Sequence, residues 1–466
     1  MPIRGAPPPA GMNIAMVTAG GAGMFCGSCM HDNTWARALI AEGADVSLIP
    51  TYTPIRVDEQ DESLHRVFLG GINIYLNSRF QWWHHMPHAV RAWLDDPGII
   101  RWATRWSISN DAHQLGDLAV SMLHGEQGPH RQAVEELARF LQNDLKPDVV
   151  IFSNSLLSGA LHVIKEHLDV PVLCTLQGED VFLDSLPDRH RAQVLELITA
   201  RAREFDGFLV HSRFYRDYMA KYLSLDVERC SILPLGIDVD SHPGQPEIKN
   251  NEAYTVGYFA RIAPEKGLHH LVEAFPLLRE MIPDARLRIG GFLGKQDRSY
   301  FKGVMKKLKK FGNAVEYIGS PTSHAEKVAF LNSIDVLSVP TEFLEPKGIY
   351  VLEAMANGVP VVQPLHAAFP ELIEKTGGGL LVTPRHPQSL AAGLHRLSNP
   401  EERLHYARNA WQGVREHYAC RAMAVQTLET LHSYFEAAPQ ATGAPERGTS
   451  SLPIPDRSST ESGKVP

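Results

Sequence analysis

Two glutamates, Glu345 and Glu353, lie in a stretch of sequence that predicts a loop followed by a helix. Residues 349–356 carry apolar side chains at helical spacing, and Gly358 follows as a typical helix-stop residue. Glu345 therefore precedes the helix, and Glu353 lies on it. Carboxylates accept hydrogen bonds from sugar hydroxyls, and the free N–H groups at a helix start bind phosphate oxygens. This set of groups could hold a sugar joined to a phosphate.

Two cations accompany this pair at an earlier strand end. Arg261 follows a predicted strand at residues 254–260, and Lys266 comes just before a predicted helix that begins at Leu268. Two positive charges in such a place could neutralise a leaving diphosphate without a metal ion. Taken alone, the two glutamates could instead be a solvated loop acid and an ordinary helical glutamate, and the two cations could be a surface pair of charges.

The composition limits the class of protein. The chain has 466 residues, which is too long for one hydrophobic core and predicts two large domains. With 45 basic and 53 acidic residues the net charge is −8, so the sequence carries no electrostatic footprint for nucleic acid. Five cysteines do not suggest a secreted disulfide framework, and we expect a cytoplasmic location. No apolar run is long enough to predict a transmembrane helix.

Apolar runs of strand length alternate with helical patterns along most of the chain. This alternation predicts parallel sheets covered by helices on both faces. A polar segment with two prolines interrupts it at residues 238–252, and we interpret this segment as the linker between two doubly wound domains. The predicted strands are 13–18, 45–49, 148–152, 171–176, 207–210 and 230–233 in the first domain, and 254–260, 286–290, 315–318, 336–339 and 359–362 in the second.

The domain limits follow from this pattern. The first domain is expected at residues 12–237 and the second at residues 253–415. A helix at residues 416–436 could cross back to the first domain. The ends of the chain, residues 1–11 and 437–466, are rich in proline and small residues and are expected to be flexible or disordered.

A glycine-rich loop at residues 19–29 follows the first predicted strand and opens a helix near His31. Ligands of doubly wound domains bind at the carboxyl ends of the strands, so this loop is expected to face the same cleft as the second domain's motifs. Gly21 and Gly23 could let the backbone approach a diphosphate. A flexible connector is the alternative, because a lone glycine-rich loop is a weak signal.

The order of these motifs resembles the GT-B retaining glycosyltransferases of family 4, also called glycosyl transferases group 1. The resemblance covers about residues 12–436 and is most specific in the second domain. Its motifs are the glycine-rich loop, Arg261-x4-Lys266-Gly267, Glu345-x7-Glu353 followed by Ala354-Met355-Ala356-x-Gly358-x-Pro360-Val361, Pro234-Leu235-Gly236-Ile237-Asp238, and Gly377 to Val382.

In that family, the domain after the linker binds a nucleotide-diphosphate sugar. The resemblance implies that Glu345 contacts the donor sugar, that Glu353 contacts the ribose, and that Arg261 and Lys266 bind the diphosphate. Glu345, Arg261 and Lys266 would then be the catalytic residues. The donor-binding residues implied in this way are Gly21, Gly23, Arg261, Lys266, Glu345, Gly348, Ile349 and Glu353.

The resemblance also implies a hexosyl transfer with retention, without a metal ion or a cofactor, to the hydroxyl of a glycan, a lipid or a small molecule. Family members often carry a histidine where this chain has Gln177, and glutamine cannot titrate near neutral pH. This departure weakens any protein base at that position and is compatible with front-face transfer, in which the leaving phosphate takes the acceptor proton. The expected acceptor-side residues are His31, Gln177, Gly178 and Asp180.

Other features have both a functional and a structural interpretation. Cys26 and Cys29 have the spacing of a redox motif, although small packed thiols fit the loop better. The basic stretch at residues 306–310 is either a solvated helix face or a contact with a membrane surface. An insert at about residues 76–147 holds five of the seven tryptophans, Trp82, Trp83, Trp93, Trp102 and Trp106. These aromatic side chains could stack on an acceptor, or they could pack the helices of the insert together.

Two alternatives to a glycosyltransferase stay open. A GT-B sugar-nucleotide epimerase would use the same donor motifs without an acceptor, and a non-catalytic protein would only bind the sugar nucleotide. The intact set of Glu345, Glu353, Arg261 and Lys266 argues against the second of these. A second departure, His366-Ala367-Ala368 where relatives often have paired glycines, has no clear consequence for the choice of donor.

Overall fold

The computed structural model describes residues 11–20, 27–57, 59–64, 67–68, 112–248 and 253–437. Several sequence-based interpretations lie outside these residues: the donor role of Gly21 and Gly23, the thiol of Cys26, and the five clustered tryptophans. The described part of the chain contains two parallel sheets of six strands each. This arrangement confirms the predicted pair of doubly wound domains.

The first sheet has the strand order β2-β1-β3-β4-β5-β6. Strand β1 lies between β2 and β3. The strand order therefore reverses direction at β1, with β2 on one side and β3 to β6 on the other. The strands are β1 (Asn13–Thr18), β2 (Asp45–Pro50), β3 (Val149–Phe152), β4 (Val172–Thr175), β5 (Gly207–Val210) and β6 (Cys230–Ile232).

The second sheet has the order β12-β11-β10-β7-β8-β9, and its switch point lies between β7 and β10. Its strands are β7 (Thr255–Phe259), β8 (Arg286–Gly290), β9 (Val315–Tyr317), β10 (Val336–Leu337), β11 (Val361–Pro364) and β12 (Gly379–Val382).

Helices connect the strands and cover both faces of each sheet. In β1, Ala15 and Val17 pack into one buried cluster, and Ile14 and Met16 pack into another on the opposite face. The described helices are α1 (Gly27–Ala41), α2 (Ala112–Leu123), α3 (Arg131–Phe140), α4 (Leu161–His167), α5 (Glu179–Ser185), α6 (Asp188–Ala202), α7 (Arg213–Tyr222), α8 (Leu268–Met281), α9 (Arg298–Leu308), α10 (His324–Asn332), α11 (Ile349–Ala356), α12 (Phe369–Thr376), α13 (Pro387–Arg396), α14 (Pro400–His417) and α15 (Cys420–Ala437).

Some strand limits differ from the prediction. The predicted strand at 336–339 is shorter, because the N–H of Val339 donates to the side-chain oxygen of Gln363, 3.3 Å away, instead of to a neighbouring strand. The predicted strand at 359–362 begins two residues later, because the N–H of Val359 still bonds the carbonyl of Ala354 at the end of α11. Side-chain partners and helix ends of this kind are invisible to an apolar pattern.

The last helix, α15, packs against α1 of the first domain. The indole N–H of Trp35 donates to the hydroxyl of Thr427 over 2.9 Å, and both side chains are buried. Met423 and Leu431 belong to the same apolar cluster as Trp35. The chain therefore returns to its first domain after completing the second one.

Candidate active site

A cavity of about 450 Å³ lies between the two domains. Its lining includes Ala260, Gly291 and Ser320, which follow β7, β8 and β9, so the cavity opens at the carboxyl ends of these strands. The first domain contributes Gly27 and Met30 at the start of α1. Five residues predicted from the sequence line the cavity together: Arg261, Lys266, Glu345, Ile349 and Glu353.

Lys266 and Glu345 form a buried ion pair in this cavity. The Nζ atom of Lys266 lies 2.6 Å from Oε2 of Glu345, and the two side chains are 14% and 8% exposed. The lysine ammonium also lies 4.5 Å from the ring centre of Phe343 and 5.6 Å from that of Tyr350. Aromatic faces attract a cation, so the ammonium is held on several sides.

Glu345 is ionised in this arrangement. Burial opposes its ionisation, but the charge of Lys266 and the hydrogen bond from it lower the pKa of Glu345 below its usual value. The hydroxyl of Tyr350 donates to Oε2 over 3.2 Å, and the N–H of Gly348 donates to Oε1 over 3.3 Å. These bonds use three of the roughly four acceptor sites of a carboxylate, which leaves room for a ligand hydroxyl.

The segments that carry these two residues meet through their backbones. Gly267 has φ +70°, and a Cβ atom built on it would lie 1.9 Å from the carbonyl oxygen of Pro340, so only glycine fits there. The hydroxyl of Thr341 donates to the carbonyl of Glu265 over 2.7 Å, and the N–H of Glu342 donates to the same carbonyl over 2.9 Å. Lys266 is thereby held beside the loop at residues 338–348, which carries Glu342 and Glu345 and is called the acidic loop below.

The helix start predicted next to Glu345 is present. Helix α11 begins at Ile349, and Gly348 is its N-cap with φ +70°. The first N–H groups of an α-helix have no partner within the helix, and the positive end of the helix dipole lies there. Ile349 lines the cavity, so these N–H groups are close to the space that a ligand would occupy.

Arg261 lines the cavity and is paired with acids of its own domain. Its guanidinium forms an ion pair with Glu265 and lies 4.0 Å from Asp297. The side chain is 42% exposed, so it can turn toward a bound anion without crossing a packed core. Burial raises the pKa of Asp297, and the charge of Arg261 opposes that rise.

Glu353 has a partner that the sequence analysis did not identify. Lys327 of α10 places its Nζ atom 2.7 Å from Oε1 of Glu353, and both side chains are at least nine-tenths buried. Lys327 also lines the cavity. No spacing rule joins residues on two helices that are separated by a strand, and only the folded domain brings them together.

A second missed residue, Lys347, crosses the cleft to the first domain. Its Nζ atom lies 2.8 Å from the amide oxygen of Gln177 and 3.2 Å from the hydroxyl of Ser28. The amide nitrogen of Gln177 donates to Asp32 over 3.1 Å and to the carbonyl of Ser153 over 2.6 Å. Gln177 is therefore bound by protein groups at both ends of its amide, and its expected contact with an acceptor stays a prediction.

The other expected acceptor-side residues lie near this crossing. A Cβ atom built on Gly178 would lie 3.5 Å from Pro346 of the acidic loop. His31 is buried beside His211, with ring centres 4.5 Å apart, and its Nε2 atom makes no hydrogen bond within the described residues. Burial lowers the pKa of His31, so the ring is neutral near pH 7. Asp180 is buried and accepts a hydrogen bond from Tyr215 over 2.6 Å.

Comparison with known families accounts for both domains. Residues 243–412 match the family Glycosyl transferases group 1, and residues 118–241 match the family Glycosyltransferase Family 4. The glycogen synthase of Mycobacterium tuberculosis is 24% identical over 287 residues, which are 61% of this chain and 68% of that protein. The chain is a glycosyltransferase.

Solved structures of low sequence identity share its fold. Sucrose-phosphate synthase from Thermosynechococcus elongatus superposes with a TM-score of 0.67 and 17% identity, over 92% of this chain and 100% of that one. HepE of Anabaena in complex with UDP gives a TM-score of 0.63 and 18% identity, over 91% of this chain and all of that one. The fold of this glycosyltransferase is therefore GT-B, as the resemblance implied.

A further contact joins the two domains of the glycosyltransferase. Glu371 lies in the first turn of α12. It accepts hydrogen bonds from the backbone N–H groups of Arg213 and Phe214 over 3.0 and 2.7 Å. These groups lie in the first turn of α7, where a negative charge is favoured by the helix dipole. The second domain thus caps a helix of the first across the cleft.

The remaining features of the sequence do not line the cavity. Cys29 is buried in α1, and the lysines at 306, 307, 309 and 310 are exposed. Within the described residues, no helix is long and apolar enough to cross a membrane. In the same part of the chain, one group of side chains has metal-site spacing, namely His269, His270 and Glu342, although the sequence analysis assigned no metal site.

The stability of the protein should depend on pH through the buried carboxyl of Asp180. Burial raises its pKa to about 6, although the hydrogen bond from Tyr215 opposes the rise. Because the folded-state pKa lies above that of the unfolded chain, the cost of ionisation is absent below about pH 4 and complete above about pH 6. Asp180→Asn removes this cost. The melting temperature of the variant minus that of the wild type should therefore rise by roughly 5 °C as the pH increases from 4 to 7.

Scanning calorimetry at several pH values checks this prediction. Asp184→Asn is the matched control, because Asp184 lies on the same helix, is 47% exposed and also accepts a hydrogen bond from a tyrosine. Its melting temperature should follow that of the wild type. A difference between Asp180→Asn and the wild type that stays constant over this pH range would contradict the raised pKa of Asp180.

Proposed function

We propose that the protein transfers a hexose from a uridine-diphosphate sugar to an acceptor hydroxyl with retention of the anomeric configuration. The observation that carries the proposal is the pair of lysine-bound carboxylates in one cavity, Glu345 with Lys266 and Glu353 with Lys327. Two separated carboxylates can hold the sugar and the ribose of one donor, and the cations between them suit a diphosphate.

The diphosphate is best placed between Arg261, Lys266 and the start of α11. Two cations and the N–H groups of a helix start favour the charge that develops on the leaving phosphate. This arrangement supports transfer without a metal ion. Arg261 is paired with Glu265 and Lys266 with Glu345, so a bound diphosphate would share these two cations with the carboxylates.

Glu353 suits the ribose. Its bond with Lys327 uses one of the roughly four acceptor sites of a carboxylate, so two ribose hydroxyls can be bound as well. Lys327 keeps the buried carboxylate paired before the donor arrives, because an unpaired buried charge is costly.

The uracil base of the donor is best placed beside Phe292. This side chain is 39% exposed and lines the cavity together with Ser320 and Pro321, so it offers an apolar face for a planar base. The HepE structures hold UDP, UDP with glucose, and UDP-glucose, which supports a uridine donor for this related fold.

The acceptor is expected to enter from the first domain, where Gly27 and Met30 line the cavity. The candidates for a protein base are poor. Gln177 does not titrate, burial lowers the pKa of His31 and makes it a weak base, and His31 does not line the cavity. These observations favour a front-face reaction in which the departing phosphate oxygen takes the proton of the acceptor hydroxyl.

Activity measurements with a panel of UDP-hexoses test the proposal directly. We expect release of UDP only when a glycan, lipid or small-molecule extract supplies an acceptor. An α-linked donor should yield an α-linked product, and the coupling constant of the product's anomeric proton, measured by NMR, shows which anomer has formed. Conversion of the donor without acceptor would instead indicate an epimerase. A β-linked product would contradict retention.

Glu353→Ala should weaken donor binding. The variant loses hydrogen bonds between a charged group and the ribose, which contribute about 1.5–3 kcal/mol, so the Kd for UDP should rise roughly 10- to 100-fold. Isothermal titration calorimetry measures this Kd. Glu374→Ala, at a position that is 79% exposed, is the control and should bind UDP like the wild type. Unchanged UDP affinity in Glu353→Ala would remove Glu353 from the donor site.

Lys266→Ala should mainly slow the chemical step. Loss of a cation that stabilises the leaving phosphate costs about 3 kcal/mol, which lowers kcat by a factor of about 100. Single-turnover measurements at saturating donor separate this step from binding. Lys307→Ala, at an exposed lysine, is the control and should keep the normal rate. A normal kcat in Lys266→Ala would exclude the residue from the mechanism.

A further inference from the structure

Three metal-ligating side chains meet beside the segments that carry Lys266 and Glu345. His269 and His270 lie in the first turn of α8, and Glu342 lies in the acidic loop. The Nε2 atom of His270 is 2.6 Å from Oε1 of Glu342, and the Nε2 atom of His269 is 3.0 Å from the same oxygen. One ligand atom from each of the three residues lies within 4.8 Å of the others.

The donor set is that of a zinc site. Two imidazole nitrogens and one carboxylate oxygen, with water as a fourth ligand, are common around Zn²⁺. In a tetrahedral site with bonds of about 2.0 Å, the ligand atoms lie roughly 3.3 Å apart. The present separations of 2.6 and 3.0 Å are slightly shorter, so a small outward movement of Glu342 would admit an ion.

The surroundings of His269 suit ligation. The hydroxyl of Tyr300 lies 3.0 Å from Nδ1 of His269 and accepts a hydrogen bond from the backbone N–H of His269 over 3.1 Å. If Nδ1 carries the proton and donates it to Tyr300, the lone pair of Nε2 faces Glu342 and is available to an ion.

The other charges around the group are balanced. Arg385 places Nη2 3.7 Å from Oε2 of Glu342, so it contacts the oxygen that does not face the histidines, and its side chain is 65% exposed. Glu273 contributes a negative charge near His270. The Nδ1 atom of His270 is buried and makes no hydrogen bond within the described residues, so Glu342 alone orients that ring by hydrogen bonding.

We propose that His269, His270 and Glu342 bind one divalent transition-metal ion, with Zn²⁺ the best fit, and that the ion joins the start of α8 to the acidic loop. The two segments already meet at the backbone, where the N–H of Glu342 donates to the carbonyl of Glu265. His269, His270 and Glu342 do not line the cavity, so the ion takes no part in binding the diphosphate.

The test uses the full chain without an affinity tag, stripped with a chelator and dialysed against zinc chloride. Zinc per chain is counted by mass spectrometry, and Co²⁺ is used as a second probe, because its visible absorption distinguishes tetrahedral from octahedral coordination. The variants are His270→Asn and Glu342→Gln. The matched controls, His395→Asn and Glu374→Gln, change exposed residues of the same types outside the group.

We expect the wild type and both controls to bind one zinc ion more per chain than the two variants, whose affinity should fall by roughly 100-fold or more. Zinc should raise the melting temperature of the wild type and leave that of the variants unchanged. Circular dichroism shows whether each variant folds, and His269→Asn replaces any variant that does not.

Equal zinc content in the wild type and in folded variants would overturn the proposal, and so would the absence of tightly bound zinc from the wild type. Octahedral Co²⁺ absorption in the wild type would also contradict the site. The zinc count needs no donor, so a failure of the proposed sugar transfer would leave this result unaffected.

Discussion

The donor site depends on one buried ion pair, the bond between Lys266 and Glu345. A carboxylate in this position without a cation would be costly to ionise, and a lysine without a carboxylate would be costly to charge. Together the two groups keep their charges inside the cleft, 2.6 Å apart. In the proposed function, the pair supplies a hydrogen-bond acceptor for a sugar and a cation for a phosphate in the same place. The second pair, Lys327 with Glu353, is proposed to bind the ribose in the same way.

The fold explains why these pairs form where they do. Parallel strands end at one edge of a sheet, so the loops after β7, β8 and β9 converge on the cavity, and helix α11 begins at the same edge. The backbone approach at Gly267 fixes the distance between the two segments that carry the central pair. Across the cleft, Lys347 and Glu371 bond groups of the first domain, so polar contacts join the two domains.

Much of this site was predictable from short motifs. Arg261, Lys266 and Glu345 each lie next to a strand end or a helix start, and Glu353 lies on the helix that follows Glu345. Their spacing along the chain places them at the same sheet edge. Helix α11 also begins and ends where its apolar spacing predicted. The pattern worked because each of these positions is determined within one strand-loop-helix unit.

Other features depend on tertiary contacts, which no short motif predicts. Lys327 and Lys347 meet their partners from different helices or different domains, and the amide of Gln177 is bound by three protein groups that are distant in sequence. The group formed by His269, His270 and Glu342 arises in the same way, because two segments 72 residues apart are joined at the backbone. Residue types at such positions look ordinary until the fold brings them together.

A crystal structure of the protein with UDP tests the account most directly. The account predicts density for the diphosphate between Arg261, Lys266 and the N-terminus of α11, with the ribose hydroxyls within hydrogen-bonding distance of Glu353. Density for the nucleotide at another place, or a ribose that does not contact Glu353, would contradict it.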